Sequence, residues 1–390
     1  MPEAYIVAAT RTAGGRKAGR LREWHSADLG GAVIDELLRR TGADPARIDD
    51  VIMGCLTQVG EQSLNVARGC VLASSLPESV PATTVDRQCG SSQQALHFAA
   101  QAVMSGTQDV VIAGGVESMT RTPMGANVML AMGAGMGGPN SPRIKARYNG
   151  VDFSQFIGAE MVAEKYGLSR EALDGYGVES HRRAAAATQA GAFKAEILAL
   201  PGKDKEGAEL LHDTDEGIRY DASPEGMAAV KLLHESGRLT AATASQICDG
   251  ASAIMVVSER GLKDLGVEPL ARIHHLTVTG GDPVIMLEAP IPATRRALER
   301  AGMSLGEIDL FEVNEAFASI PMAWRQALEA DPDKLNVNGG AIALGHPLGA
   351  TGTKLMTTLV HALKARGKRW GLQTMCEGGG MANVTIIERL

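Results

Sequence analysis

An α/β fold made of two similar halves is the architecture that this sequence predicts, on three observations. Short apolar strands alternate with amphipathic helices along most of the 390 residues, as in a sheet covered on both faces. One order of elements (strand, helix, strand, helix, strand, Gly-rich turn, helix, strand, strand) runs twice. The 46 glycines, well above a usual share of about 7%, gather in a few clusters at ends of predicted strands, where open α/β sheets bind ligands.

Ala4–Thr10 reads as a buried strand and Asp28–Arg40 as a helix with Leu29, Val33, Leu37 and Leu38 on its apolar side. Asp50–Gly54 is a second strand and Ser63–Ala73 a second helix. The β-branched run from Thr83 leads through Asp86-Arg87-Gln88-Cys89-Gly90 into a helix with Leu96, Ala99, Ala102 and Val103 on one face. Gly90 permits a sharp turn, and Ser91 with Gln94 has the spacing of a capping box. Asp109–Gly115 is apolar throughout, as in a mostly parallel sheet buried on both faces.

From Glu117 the texture changes. Met119, Met124, Met129, Met132 and Met136 are interleaved with Gly and Pro without a period, which fits a flexible flap over an apolar ligand or the packing of a long loop. Helices at Gly158–Tyr166 and Arg170–Gly191 precede a polar stretch, Gly202–Gly217, read as a surface connection. Ala251–Ser258 resumes the first sheet. Residues 117–246 therefore read as an insertion, with 1–116 plus 247–268 as the first half and 269–390 as the second. In the second half Ala271–Thr279, Asp309–Val313, Lys334–Val337, Gly371–Met375 and Asn383–Glu388 read as strands. Pro292–Ala301, Glu315–Ala330 and Gly352–Ala365 read as helices.

A net charge of −7 and a pI near 5.8 argue against a nucleic-acid or anionic-membrane surface as the main partner. No apolar run reaches the length of a membrane span, and neither end carries an address signal. The five cysteines are odd in number, scattered and without a C-x-x-C pair. That pattern argues against a disulfide framework and a structural zinc site, and for a reducing compartment, the cytoplasm.

Two cysteines stand apart from the apolar runs that hold Cys55, Cys70 and Cys248. Cys89 sits at a strand-to-helix turn, where the helix dipole favours thiolate. Cys376 is followed by Gly378 and two more glycines, which free backbone N–H groups for a developing oxyanion. His346 lies between Gly345 and Pro347, in no regular element, and could be the base for Cys89. A second thiol is an unusual acid/base, matched to a substrate that is itself a thiol or a carbon acid beside a thioester. Asn314 either fixes a water or caps a helix starting at Glu315.

Asp86-Arg87-Gln88-Cys89-Gly90-Ser91-Ser92, Asn314-Glu315-Ala316-Phe317, Gly345-His346-Pro347-Leu348-Gly349-Ala350-Thr351-Gly352 and Cys376-Glu377-Gly378-Gly379-Gly380 resemble, in order and spacing, the signature blocks of the thiolase family. The resemblance spans the whole chain. It implies duplicated βαβαβαββ halves in a five-layer arrangement with an inserted loop domain. It implies Cys89 as acyl-accepting nucleophile, His346 as its activator and Cys376 as the group that moves the α-carbon or CoA proton. Asn314, through a water, and His346 would form one oxyanion hole, and the N–H groups of Cys89 and Gly378 the other.

Further implications are a homodimer or homotetramer acting on acyl-CoA and CoA, with CoA as substrate and no metal or organic cofactor. Ser245, in Thr243-Ala244-Ser245-Gln246-Ile247-Cys248-Asp249-Gly250, is implied as a pantetheine contact and Arg219 as a contact to the CoA nucleotide. Thr243, Gln246 and Cys248 depart from the family pattern there. Phe156-Ile157-Gly158 replaces the His-Met-Gly of acetoacetyl-specific members, and the blocks look closest to actinobacterial thiolases, some of which act on sterol-derived acyl-CoAs. The expected activity is transfer between acyl-CoA and acetyl-CoA through an acyl-cysteine. The alternatives are a short-chain acetoacetyl-CoA thiolase, a decarboxylating condensing enzyme, a thioester hydrolase and a catalytically silent lipid carrier. A second positioned thiol speaks against the condensing enzyme and the hydrolase, and all four polar groups in place speak against the carrier.

Overall fold

The structure, a computed structural model, describes residues 2–390. Its main sheet runs in the order Leu310–Val313, Trp370–Glu377, Met381–Arg389, Ala271–Gly280, Tyr5–Thr12, Cys248–Val257, Val110–Ser118, Asp50–Gly54, Ala82–Val85. The two halves are readable in that order as mirror sequences about the junction between Tyr5–Thr12 and Ala271–Gly280. That junction is narrow: only Tyr5 with Arg272 and Ile6 with Ala271 are paired across it.

Three apolar cores are stacked along the molecule. One packs the helices Ser26–Thr41 and Val66–Leu72 on the first sheet, through Leu29, Val33, Leu37, Val66 and Cys70. The middle one joins Leu96 and Ala99 of the helix Ser91–Met104 to Met356 and Leu359 of the helix Thr351–Ala365, between strands of both halves. The third packs Ala293 and Ala297 of Pro290–Ala301 and Trp324 of Ser319–Leu328 on the second sheet. Helix, sheet, helix, sheet, helix makes the five layers. The middle layer brings the starts of its two helices together almost without side chains between. A Cβ on Gly352 would lie 2.1 Å from Gln93 N, so only glycine fits that approach.

Several expectations are corrected. The sheet is mixed, not mostly parallel: Cys248–Val257 runs antiparallel to both neighbours, and Trp370–Glu377 turns directly into antiparallel Met381–Arg389. Tight three-residue connections force antiparallel pairing, which hydrophobic runs alone do not reveal. Lys334–Val337 is no strand. Leu335 bridges Phe311, and the Asn336 side chain then does the pairing, accepting from Val313 N–H and donating to Val313 C=O, both at 2.9 Å. Gly202–Gly217 is more than a surface connection. It holds the hairpin Leu200–Lys203 with Glu209–His212 and sends Asp215, fully buried, onto the Arg11 guanidinium at 2.8 Å. The methionines beyond Met119 are not packed loop residues, since Met129, Met132 and Met136 are more than half exposed.

Candidate active site

Cys89 stands between the strand Ala82–Val85 and the helix Ser91–Met104. Gln88, with φ 52°, makes the turn, not Gly90, whose φ is −86°. Gly90 is needed for space, because a Cβ there would come within 1.9 Å of Glu377 Oε1. The capping box does not form. Ser91 is the first helical residue rather than its cap, and its hydroxyl accepts from Arg87 N–H at 3.0 Å and donates to Gln88 C=O at 2.5 Å. Leu348, two residues past His346, and Met375, one before Cys376, pack with Met119 on Cys89.

Burial pushes the Cys89 thiol up to about 12, and Glu377, Glu117 and Asp86 add to the rise. The expected dipole-stabilised thiolate is therefore not the resting form: desolvation outweighs the dipole. Burial raises the Cys376 thiol well above its ordinary value, and the neighbouring Cys89 raises it further.

His346 has one assigned tautomer. Its Nδ1 lies 2.6 Å from Thr351 Oγ1, and that hydroxyl donates to Pro347 C=O at 2.9 Å. A carbonyl only accepts, so the hydroxyl proton is spent on Pro347 and the oxygen must accept from Nδ1–H. Nε2 is left as the acceptor and takes one long hydrogen bond from Asn314 Nδ2 at 3.5 Å. Burial and the Lys354 charge hold the imidazole down to about 3.

Asn314 caps nothing, because the helix begins only at Ser319. Residues 316–318 are held by pairing instead: Ser245 N–H donates to Ala316 C=O at 3.0 Å and Ala318 N–H to Thr243 C=O at 2.8 Å, on either side of the bridge between Ala244 and Phe317. The strap 243–247 continues to Ile247, which bridges His346, and His346 N–H donates to Gln246 C=O at 3.0 Å. Half-buried Ser245 thus lies between the Asn314 and His346 segments. The three departures from the family pattern have structural duties. Thr243 accepts from Thr240 N–H, Gln246 donates to Gly217 and Ile342 carbonyls, and Cys248 fills the space behind Gly345. Arg219 is exposed, and its own backbone N–H donates to His181 Nδ1 at 3.1 Å. The N–H groups of Cys89 and Gly378 have no acceptor in the protein.

Three buried charged residues escaped the sequence reading. Glu377, beside Cys376, has no partner on either oxygen and is pushed up to about 8 by burial, with Arg87 opposing. Glu117 ties the His346 loop to the first half by accepting from Gly349 N–H at 2.9 Å. Lys354 donates to the carbonyls of Leu344 and Gly345. Lys354 alone left a signal, as a charge among Leu355, Met356 and Leu359. Among the described residues, no cluster of His, Cys, Asp or Glu is placed to hold a metal ion.

Comparison with known proteins agrees with this arrangement. The family profile described as thiolase, N-terminal domain, matches residues 4–260, and that described as thiolase, C-terminal domain, matches 267–389. The chain belongs to the thiolase family. It is an acyltransferase with thiolase chemistry. A steroid 3-ketoacyl-CoA thiolase of Mycobacterium tuberculosis is 52% identical over 392 residues, covering 100% of this chain and 95% of that one. A 3-ketoacyl-CoA thiolase of Yersinia pestis is 43% identical over 397 residues, covering 100% of both. The crystal structure of an acetyl-CoA acetyltransferase of Bacillus anthracis superposes with a TM-score of 0.90 at 34% identity, over 100% of this thiolase and 99% of the other.

Proposed function

We propose that this thiolase cleaves 3-ketoacyl-CoAs with CoA through an acyl group carried on Cys89, and condenses acyl-CoAs in reverse. The observation that carries the assignment is the acceptor Nε2 of His346, held only by a long hydrogen bond from Asn314, in a loop whose Leu348 packs on Cys89. Nε2 takes the Cys89 proton as sulfur attacks the 3-keto carbon. Once protonated it becomes a donor, and with Asn314 it stabilises the oxyanion. The C2–C3 bond breaks, Cys376 S–H protonates C2, and acetyl-CoA leaves. The Cys376 thiolate then takes the proton of an incoming CoA thiol, whose sulfur attacks acyl-Cys89, and the His346 proton returns to Cys89. The unengaged N–H groups of Cys89 and Gly378 serve the second oxyanion. A raised pKa suits Cys376 to hold its proton until a carbanion forms.

Ser245 would contact the pantetheine from the strap, and Arg219 the CoA nucleotide from the surface. A cavity of roughly 460 Å³ lined by Phe156, Ile157, Met161, Leu233 and Leu239 supports acyl groups bulkier than acetoacetyl. Phe156 in its wall meets Phe317, three residues past Asn314, edge-on with ring centroids 5.7 Å apart. A steroid-derived acyl chain, the substrate in the name of one relative, would lie on the apolar part of that wall, beside Glu160, Glu164, His234 and Arg238. The domain division at 116/117, 246/247 and 268/269 is supported by Cys248–Val257 returning between two strands of the first half.

Assembly is at least a homodimer. The edge strand Ala82–Val85 has no outer neighbour, and Leu64, 97% exposed, and Leu72 stand exposed beside it. Five free, buried cysteines fit the cytoplasm, and no helix among the described residues is long and apolar enough to cross a membrane.

The test is mass analysis after incubation with acetoacetyl-CoA: the acyl mass belongs on the Cys89 peptide, and its appearance on Cys376 alone overturns the assignment. Given a simple acyl-CoA donor, from which no C–C bond has to break, Cys376→Ser should still form acyl-Cys89 but pass it poorly to CoA. A kcat/KM that falls steeply for a 3-ketoacyl-CoA four carbons longer than acetoacetyl-CoA would make this a short-chain enzyme.

A further inference from the structure

Lys354 belongs to the helix Thr351–Ala365, yet its ammonium is buried and turned back on the loop that precedes the helix. Nζ donates to Leu344 C=O at 2.5 Å and to Gly345 C=O at 2.9 Å, the two carbonyls immediately before His346. Gly345 has φ 79°, and a Cβ there would strike Cys248 Sγ at 2.6 Å. The turn is thus held from one side by packing and from the other by a cation.

That cation is held among charges from every element around it. Asp215 and Glu196 come from the inserted segment, and both pair with buried Arg11 at 2.8 and 2.6 Å. Cys248 faces it from behind, and Glu312 from the second sheet is kept protonated by burial. Two cations and two carboxylates balance. A buried lysine is costly unless it does something that a leucine could not.

We infer that Lys354 is the positioning residue of the base: its ammonium clamps the two carbonyls before His346, fixing where Nε2 points. Burial first and the Lys354 charge second hold the imidazole below its ordinary value. This rests on the reading of His346 as the base of Cys89. The position of the clamp also gives the inserted segment, through Asp215 and Glu196, a hold on the catalytic loop.

The experiment compares wild type, Lys354→Met and Lys354→Arg by steady-state kinetics with acetoacetyl-CoA and CoA, and by the pH dependence of acyl-Cys89 formation in single turnovers. Wild type should acylate down to about pH 5. Lys354→Met should lose about tenfold or more in kcat with little change in KM, and the acid limb of acylation should move up while staying short of the ordinary imidazole value of about 6.5, because burial, the larger cause of the depression, remains. Lys354→Arg, which keeps charge and donors, should restore the limb. If Lys354→Met does not fold, the charge-balanced pair Lys354→Met with Asp215→Asn is read in the same way. A folded Met variant, single or paired, whose acid limb stays at the wild-type pH overturns the inference. Wild type that never acylates Cys89 overturns the functional reading itself, and the inference with it.

Discussion

Glu117 and Glu377 lie at the ends of corresponding strands in the two halves, both fully buried, and their surroundings are opposite. Glu117 accepts from Leu56 N–H, Thr57 N–H, Gln62 Nε2 and Gly349 N–H, at 2.8 to 3.0 Å. Glu377 accepts from nothing and packs its Oε1 on the Gly90 Cα. The first has its oxygens met by four donors. The second is a carboxyl that keeps its proton well above the ordinary range, because burial without donors penalises the charged form. The difference matters because Glu377 adjoins Cys89. An ionised Glu377 would oppose the thiolate and the oxyanion of the proposed reaction, and a neutral acid there would not.

Ranked at pH 5, three substitutions probe this contrast. Glu117→Ala is expected to cost most, about 3 kcal/mol or more in denaturant unfolding, since it strands three backbone N–H groups and frees the Gly349 loop. Activity should fall further than stability explains, and an equal loss in both would deny Glu117 a hold on the catalytic loop. Gly90→Ala should cost about 1–3 kcal/mol by overpacking against Glu377. The double variant with Glu377→Ala should recover part of that, and strict additivity of the two would show that the contact is not the cause. Glu377→Gln should change stability least at pH 5 and progressively more above it. The unfolded carboxyl ionises above about pH 4.5, whereas the native one keeps its proton to about 8. Folding therefore takes up a proton in that window, and wild-type stability falls as pH rises, by at most about 1.4 kcal/mol per unit for one group. The Gln variant lacks that slope, so melting curves from pH 5 to pH 8 should converge on or cross the wild type. Parallel curves would place Glu377 ionised throughout.

Much of this was legible in the chain. Alternating apolar strands and helices gave the duplicated halves, and the Gly-rich segments around Cys89, Asn314, His346 and Cys376 gave the residues that the fold gathers. Strand direction was not legible, because an apolar run such as Cys248–Val257 looks the same whichever way it pairs. Nor were the buried charges. Glu117 and Glu377 sit in strands where a carboxylate normally signals the surface, and only the donors that converge on one and not on the other separate their roles. The polar stretch before Gly217 looked solvated because its most important residue, Asp215, is matched by Arg11, more than 200 positions away. Local composition cannot report a partner that distant.

The Asn336 side chain has a consequence for how copies of this chain can add to one another. It occupies both hydrogen-bonding groups of Val313, and its own N–H donates to Phe311 C=O at 2.9 Å, so the rim of the second sheet is sealed by an amide. The rim at Ala82–Val85 has no strand beside it. A molecule with two open rims can add head to tail without limit, whereas one with a single open rim can only join a like rim and stop. One asparagine thus removes one of the two rims on which copies of this chain could pair.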